Sequence, residues 1–304
     1  MNRKLTPREY ALVFPPPPPP PIPAPAEPPR TIVALMGGIG NQLFQYAFGI
    51  SVAKARHEEL GFTMWRCLND KWRPAGYQLD MFVDDIKLLP KGVEDVRTPF
   101  FKDHGDRPFT FQPQVYTVSP GTFVGYWQTE KYFDGPLVRS KIQFRYPLSE
   151  QSLKVAEEIN KAGVGSTFLH VRRGADYKRS DHHSLAPLGY YAKAVKLVRD
   201  KYGDGAKFFV FGDDPEYIRE NFVGPDFVIV DHIKPDTNAI HEDMHLMSLC
   251  HNGAIANSSF SWWAAWLGDQ KPDRLVFAPD KWFGPDIDIS DVVPDRWIKL
   301  TCGS

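Results

Sequence analysis

The residue types best able to do chemistry in this chain gather in short polar runs, each placed where an apolar stretch ends or begins. Ser166 to Tyr177, S-T-F-L-H-V-R-R-G-A-D-Y, closes a strand-like run (Phe168, Leu169, Val171) with His170, Arg172, Arg173 and Asp176. Two adjacent guanidinium groups need partners, because an unpaired buried one is costly. Those partners are an internal carboxylate such as Asp176 or a bound anion, whose oxygens match arginine's fork of donors. G-G-I-G-N-Q (37–42) brings Gly38, Gly40, Asn41 and Gln42 to the start of a helical pattern. Free N–H groups and the missing side chains there suit a phosphate or sugar nucleotide. Only two glycines of the dinucleotide G-x-G-x-x-G pattern are present, Leu43 taking the third place.

Four further runs carry polar groups. N-S-S-F-S offers Asn257, Ser258, Ser259, Phe260 and Ser261 at a second helix start, as caps or as phosphate ligands. Asp213 and Asp214 precede Pro215, which suits the cap and first turn of a helix and also a divalent ion. G-Y-W-Q-T-E-K-Y-F (125–133) sets Gln128, Glu130 and Lys131 among aromatics, the composition of a sugar platform or of a core. His241, Glu242 and His245 spell the H-E-x-x-H of zinc hydrolases, with His251 at the spacing of a third ligand. Ser248 replaces the glycine that would turn the chain, so on a continuous helix His251 falls roughly 120° around the axis from His245. That places it off the same site.

The elements that must position these residues alternate. T-I-V-A-L-M (31–36) reads as a buried strand, followed by the glycine turn and a helix over 43–56. Short strands are expected at 62–67, 115–118 and 122–127. Beyond 149 the pattern is regular: helix 149–162, strand 166–172, helix 187–202, strand 207–212, helix 215–222, strand 226–231, helix 239–250, strand 253–256, helix 260–268 and strand 275–278. Such alternation implies right-handed crossovers and a parallel sheet covered on both faces. The loops R-R-G-A-D-Y, G-D-D-P-E, N-S-S-F-S-W-W and P-D-K-W-F then share one sheet edge and line one crevice.

The chain has 304 residues with 42% hydrophobic content, enough for two domains. Its 36 basic and 37 acidic residues give a net charge of -1, so no global field draws nucleic acid or an anionic membrane, and any anion site is local. Three cysteines far apart suggest neither a disulfide framework nor a CxxC metal site. No run approaches the ~20 apolar residues of a membrane helix, and the N-terminus lacks a signal-peptide core. The expectation is a soluble, unexported, cytoplasmic protein. Residues 1–30 form a proline-rich polyproline II spacer, an SH3-like partner being the minor alternative.

Seven blocks in order carry a resemblance: residues 37–49, 125–133, 170–177, 211–217, 243–250, 255–267 and 276–283 are similar to the motifs of the α-1,2-fucosyltransferases, glycosyltransferase family 11. One departure stands out, since Ala175 adds a residue between Gly174 and Asp176 where the family reads H-x-R-R-G-D.

The resemblance implies an α/β, GT-B-like fold of two Rossmann-like domains, with an acceptor-side domain over 31–148 and a GDP-fucose-binding domain over 149–304, the latter built on a mainly parallel sheet. It implies Arg172 and Arg173 near the diphosphate, Asn257 to Ser261 near the phosphates or fucose, and Asn41 reaching the donor from the other domain. Transfer would be inverting, without metal or cofactor, to O2 of a terminal β-galactose, with peripheral contact to the inner face of a membrane through a lipid-linked acceptor. Fixed guanidinium groups can neutralise the departing GDP in place of a divalent ion. Glu130 and Asp176 are the candidate bases by residue type. The alternatives are a zinc hydrolase using His241, Glu242 and His245, and a non-catalytic nucleotide-binding protein.

Overall fold

The structure, a computed structural model, describes residues 31–64, 67, 76–90, 100–102, 109–118, 121–174, 178, 184–233, 239–284 and 287–302. The proline-rich segment and Asp176 lie outside the described residues. The first half carries β1 (Thr31–Ala34), α1 (Ile39–Arg56), β2 (Leu60–Thr63), β3 (Phe100–Lys102), β4 (Gly121–Val124) and α2 (Gly135–Lys141). The second carries α3 (Glu150–Ala162), β5 (Ser166–Val171), α4 (Leu188–Tyr202), β6 (Lys207–Gly212), α5 (Pro215–Asn221), β7 (Phe227–Val230), α6 (Ile240–Leu249), β8 (Asn252–Ala254), α7 (Ser259–Leu267), β9 (Val276–Pro279) and β10 (Ile298–Leu300). No helix among the described residues is long and apolar enough to cross a membrane.

Two parallel sheets result, ordered β2-β1-β4-β3 and β10-β9-β8-β5-β6-β7. In the first the order reverses between β1 and β4, in the second between β5 and β8. A crevice opens beyond the carboxyl ends of the strands at such points. The central strands β5 and β8 are buried along their whole length because both faces are covered. Phe168, Phe209 and Phe211 face a core that continues into the first half, whereas Leu169, Val171, Phe208 and Val210 pack on Tyr190, Ala194 and Val198 of α4.

Two local expectations are corrected, and one strand has no counterpart among them. The helix begins at Ile39, so Gly40, Asn41 and Gln42 belong to its first turn rather than to a preceding loop. The strand expected at 115–118 is a 3-10 turn, Pro113–Tyr116: proline starts the turn, and Val115 is buried in the shared core. Strand β10, an edge strand with largely exposed residues, has no apolar signature to reveal it.

The two halves share one core. Trp262 and Trp263 of α7 lie against Phe44 of α1 with ring centroids 4.4 and 5.1 Å away, and Phe133 stacks on Trp263 at 5.4 Å. Around this aromatic seam runs a polar clamp. Arg296 binds both oxygens of Glu130 and also pairs with Asp269. Trp266 Nε1 donates to Glu130 at 2.9 Å. Arg139 lies 3.8 Å over the Trp266 ring and donates to its carbonyl at 2.9 Å. Lys131 pairs with Asp291, which also accepts from the Phe111 N–H at 2.7 Å.

Candidate functional site

Chemistry-bearing residues follow the carboxyl ends of the strands at and beside the order reversals. In the second half, β5 and β6 pair in register from Ser166 with Lys207 to Val171 with Gly212. The residues following each strand are therefore neighbours, and Arg172 forms an ion pair with Asp213. Asp213 also accepts from the Arg173 backbone N–H at 2.6 Å. One carboxylate thus fixes a side chain and the peptide beside it. Asp213 is accordingly a partner of the arginines and not a helix cap, a role taken by Asp214, whose Oδ1 accepts from the Tyr217 N–H at 3.3 Å. Lys178 donates to Asp214 at 2.7 Å, and that hydrogen bond holds its carboxyl below the usual carboxylate range.

Arg173 is held differently. Its guanidinium lies 3.9 Å over the Tyr217 ring, with Nε 3.9 Å from Asp214, beyond hydrogen-bond distance. That Nε is buried and has no hydrogen-bond partner among the described residues. An open recess of about 480 Å³ adjoins it, lined by Arg173, Gly174, Lys178, Glu216 and Arg219 together with the two aspartates. A planar cation held by its face keeps its edge donors for an acceptor such as a phosphate oxygen.

His170 is the penultimate residue of β5, two positions before Arg172. Burial, and secondarily the Arg172 charge, push its pKa down to about 3, so the ring is neutral. Its Nδ1 is a buried atom without a partner among the described residues, and its ring centroid stands 5.8 Å from that of Phe260. Ser258 caps α7, its Oγ accepting from the Phe260 N–H at 3.4 Å. Asn257 is buried and ties two loops, donating to Ser184 at 2.5 Å and to Trp282 at 2.8 Å. Ser261 is fully buried and bonds back to the Ser258 carbonyl at 3.4 Å, which makes it a support of the turn rather than a ligand contact.

From the first half, α1 points its N-terminus at α7. A Cβ on Gly40 would meet the Ser259 carbonyl carbon at 2.5 Å and the Phe260 nitrogen at 2.6 Å. The missing side chain therefore admits the opposite helix terminus and not a ligand. Gln42 is likewise structural: fully buried, it donates to Gly37 and Gly76 at 2.9 and 2.8 Å and accepts from the Gln78 N–H at 3.0 Å. Gln45, unremarked in the sequence, ties the loops after β1 and β4 through Met36 and Gly125, each at 3.0 Å. Gly38 is the extended N-cap residue of α1.

Gln128 follows a backbone outlier. Trp127, 1% exposed and stacked on Phe48 at 4.1 Å, has φ 53. For a bulky non-glycine residue that costs on the order of 1–3 kcal/mol. Gln128 donates to Asn41 Oδ1 at 2.8 Å while its own Oε1 is buried without a partner among the described residues, a further cost of about 1–3 kcal/mol.

The remaining sequence candidates sit elsewhere. Glu130 has both oxygens committed to Arg296 and Trp266 in the clamp, which leaves no lone carboxylate to act as a base. Glu242 accepts from the Ser149 N–H at 3.0 Å and its hydroxyl at 2.7 Å, at the start of α3. His245 stacks on Phe144 at 4.1 Å, and the His241 ring lies against Tyr146. The H-E-x-x-H run thus serves packing and capping, and among the described residues no group of three His, Cys, Asp or Glu is arranged to hold a metal ion.

An arginine pair tied to Asp213 and two apposed helix N-termini make up the candidate site, and the chain as a whole is similar to known proteins. The profile of glycosyl transferase family 11 matches residues 33–282. The chain belongs to that family. It is 33% identical to the O-antigen biosynthesis glycosyltransferase WbnK of Escherichia coli, over 88% of this chain and 99% of that one. It is 28% identical to an α-1,2-colitosyltransferase of Escherichia coli, over 88% of this chain and 98% of that one. Among solved structures the NodZ α-1,6-fucosyltransferase superposes with a TM-score of 0.51 at 17% identity, covering 82% of this chain and 94% of that one. The family 11 chain therefore has the GT-B fold and is a glycosyltransferase that uses a nucleotide sugar.

Proposed function

We propose that this family 11 enzyme transfers L-fucose from GDP-β-L-fucose to O2 of a terminal β-galactose, with inversion and without a metal ion. The observation that carries the reading is the Arg172–Asp213–Arg173 unit at the carboxyl ends of β5 and β6, β5 being the strand that also borders the order reversal toward β8. In transfer, the acceptor O2 bonds to the anomeric carbon as the bond to the β-phosphate oxygen breaks, and GDP leaves with the electron pair. Charge grows on the diphosphate, where the Arg173 edge donors and the N–H groups of α7 can meet it. Asp213 supplies the fixed orientation that makes such stabilisation effective, since no group has to reorganise as the charge develops. With Glu130 bound in the clamp, the O2 proton goes to a departing phosphate oxygen or to water. The neutral His170 and the aromatic Phe260 form the less polar wall beside the sugar.

The reading extends to a cytoplasmic enzyme that meets a lipid-linked glycan at a membrane surface. A second donor is favoured by the colitosyltransferase relative: GDP-colitose, the 3-deoxy counterpart of GDP-fucose. The deciding experiment incubates the protein with lactose and each donor, with and without EDTA, and follows GDP release and product linkage. GDP-fucose turnover that survives EDTA and yields an α-1,2 product is expected. Turnover with GDP-colitose alone replaces the donor, a product of another linkage replaces the acceptor assignment, and loss with EDTA refutes the metal-free mechanism.

A further inference from the structure

Gln128 sits at the apex of a three-residue turn closed by the Thr129 N–H on the Trp127 carbonyl at 2.8 Å. Trp127 is locked in its left-handed conformation by Phe48 beneath it and by the edges of Phe123 and Tyr132. The chain therefore accepts, side by side, a strained residue and a buried carbonyl that no described residue satisfies. Strain of this kind persists where the surroundings hold a residue for a purpose other than its own stability.

What the arrangement achieves is the orientation of Asn41. An asparagine amide offers an acceptor at one end and two donors at the other, and a half-turn exchanges them. Gln128 Nε2 donates to Asn41 Oδ1 at 2.8 Å, so the Nδ2 donors point the other way. Among the described residues no group accepts from Nδ2, and Asn41 is only partly buried. Space for Nδ2 is kept by Gly37, which has φ +73 and on which a Cβ would lie 2.6 Å from that nitrogen. Asn41 follows Gly40, the point where α1 touches Ser259 and Phe260, so its free donors lie at the junction of the two halves.

We propose that Gln128 is a positioning residue for transfer: it holds the Asn41 amide with its N–H donors directed at a hydroxyl or phosphate oxygen of the sugar-nucleotide donor. This rests on the reading that the site binds a sugar nucleotide. Gln128→Glu is the informative change, because a carboxylate cannot donate. It would draw Nδ2 to itself and turn the Asn41 carbonyl toward the donor. Asn41→Asp keeps the bond from Gln128 but presents only acceptors, and should resemble it.

The test is a double-mutant cycle on the full chain with GDP-fucose and lactose, reading kcat, KM and the unfolding temperature of wild type, N41A, Q128E and N41A/Q128E. Expected is a loss of about 10- to 100-fold in kcat/KM for Q128E, and less than about twofold further loss when Q128E is added to N41A. Gln128→Leu, of similar volume and uncharged, runs the same cycle if Q128E does not fold. Losses that multiply, or a Q128E within about twofold of wild type, would overturn the proposal. So would a fall in unfolding temperature with no coupling in the cycle, the signature of a purely structural residue. A wild type that turns over no sugar nucleotide overturns the reading beneath it as well, and is told apart because it needs no variant to show.

Discussion

Gly40→Ala separates two uses of a glycine. The added Cβ would stand 2.5, 2.6 and 2.7 Å from the Ser259 carbonyl carbon, the Phe260 nitrogen and Ser259 Oγ. Ordinary carbon contacts begin near 3.5 Å, so α1 and α7 must separate by about 1 Å. Two of the three atoms are backbone and cannot rotate aside. Overpacking of this kind costs about 1–3 kcal/mol. Alanine's better helix propensity returns up to about 1 kcal/mol, less in a first turn. The net loss of about 1–2 kcal/mol lowers the unfolding temperature by only about 2–6 °C in a chain of this size. The catalytic effect should be much larger, since Asn41 and the α7 N-terminus sit on opposite sides of the contact. A displacement of about 1 Å can cost roughly 100-fold in rate. The assay is kcat/KM for GDP-fucose at 25 °C beside a thermal melt. Gly49→Ala is the control: its Cβ would meet only side chains, Phe62 at 3.0 Å and Val33 at 3.2 Å, and the rate should stay within about twofold. A Gly40→Ala enzyme with the wild-type rate, or one losing rate only in proportion to stability, would refute the idea that the spacing of the two helix termini governs catalysis.

Glu130→Gln weakens a partly exposed bidentate pair, and should cost about 1 kcal/mol of stability while leaving the pH profile of kcat in place; collapse of kcat with an intact melt would reinstate Glu130 as the base. Asp213→Ala strips Arg172 of its carboxylate and the Arg173 N–H of its acceptor, and should weaken GDP binding at least tenfold, about 1.4 kcal/mol, as read by calorimetry. Asp213→Asn, which keeps an acceptor, should lose less, and equal losses would count against the orienting role. Asp243 has a buried Oδ1 with no hydrogen-bond partner among the described residues, and burial followed by the Glu242 charge push its pKa up from 3.8 to about 8. A carboxyl protonated in the fold but ionised in the unfolded chain makes stability fall as pH rises from about 4 to 8. Asp243→Asn should flatten that decline and raise the unfolding temperature at pH 8 relative to wild type, and an unchanged slope would mean that the folded carboxyl is already ionised.

The second half was legible from α3 to β9 because each of those elements carries its own signal. Strand 207–212 is found at its expected residues, and Pro215 opens α5 at the first helical position with Asp214 as its cap. The site was legible as a set of loops, since strand ends in a parallel sheet share an edge. The Arg172–Asp213 pair lay within reach of the same reasoning: two six-residue strands in register place their next residues side by side. Other features depend on contacts that local sequence does not encode. Gly40 resembles a phosphate-turn glycine until α7 fills its missing side chain. Glu130 resembles a base until Arg296, distant in sequence, closes on it. V-Y-T-V over 115–118 has strand composition, yet the proline two residues earlier and the burial of Val115 beside α1 decide for a turn.

The seam between the halves also bears on how such an enzyme can change its acceptor. Tryptophans 262, 263 and 266 belong to the second half, while the rings and charges that receive them, Phe44, Phe133, Glu130 and Arg139, belong to the first. A hybrid joined between the two sheets would have to inherit both sides of that seam together, or expose indole surface and cost Arg296 its pair with Glu130. New acceptor preferences should therefore arise in this lineage by exchange of loops around a retained seam, and not by trading whole halves between relatives.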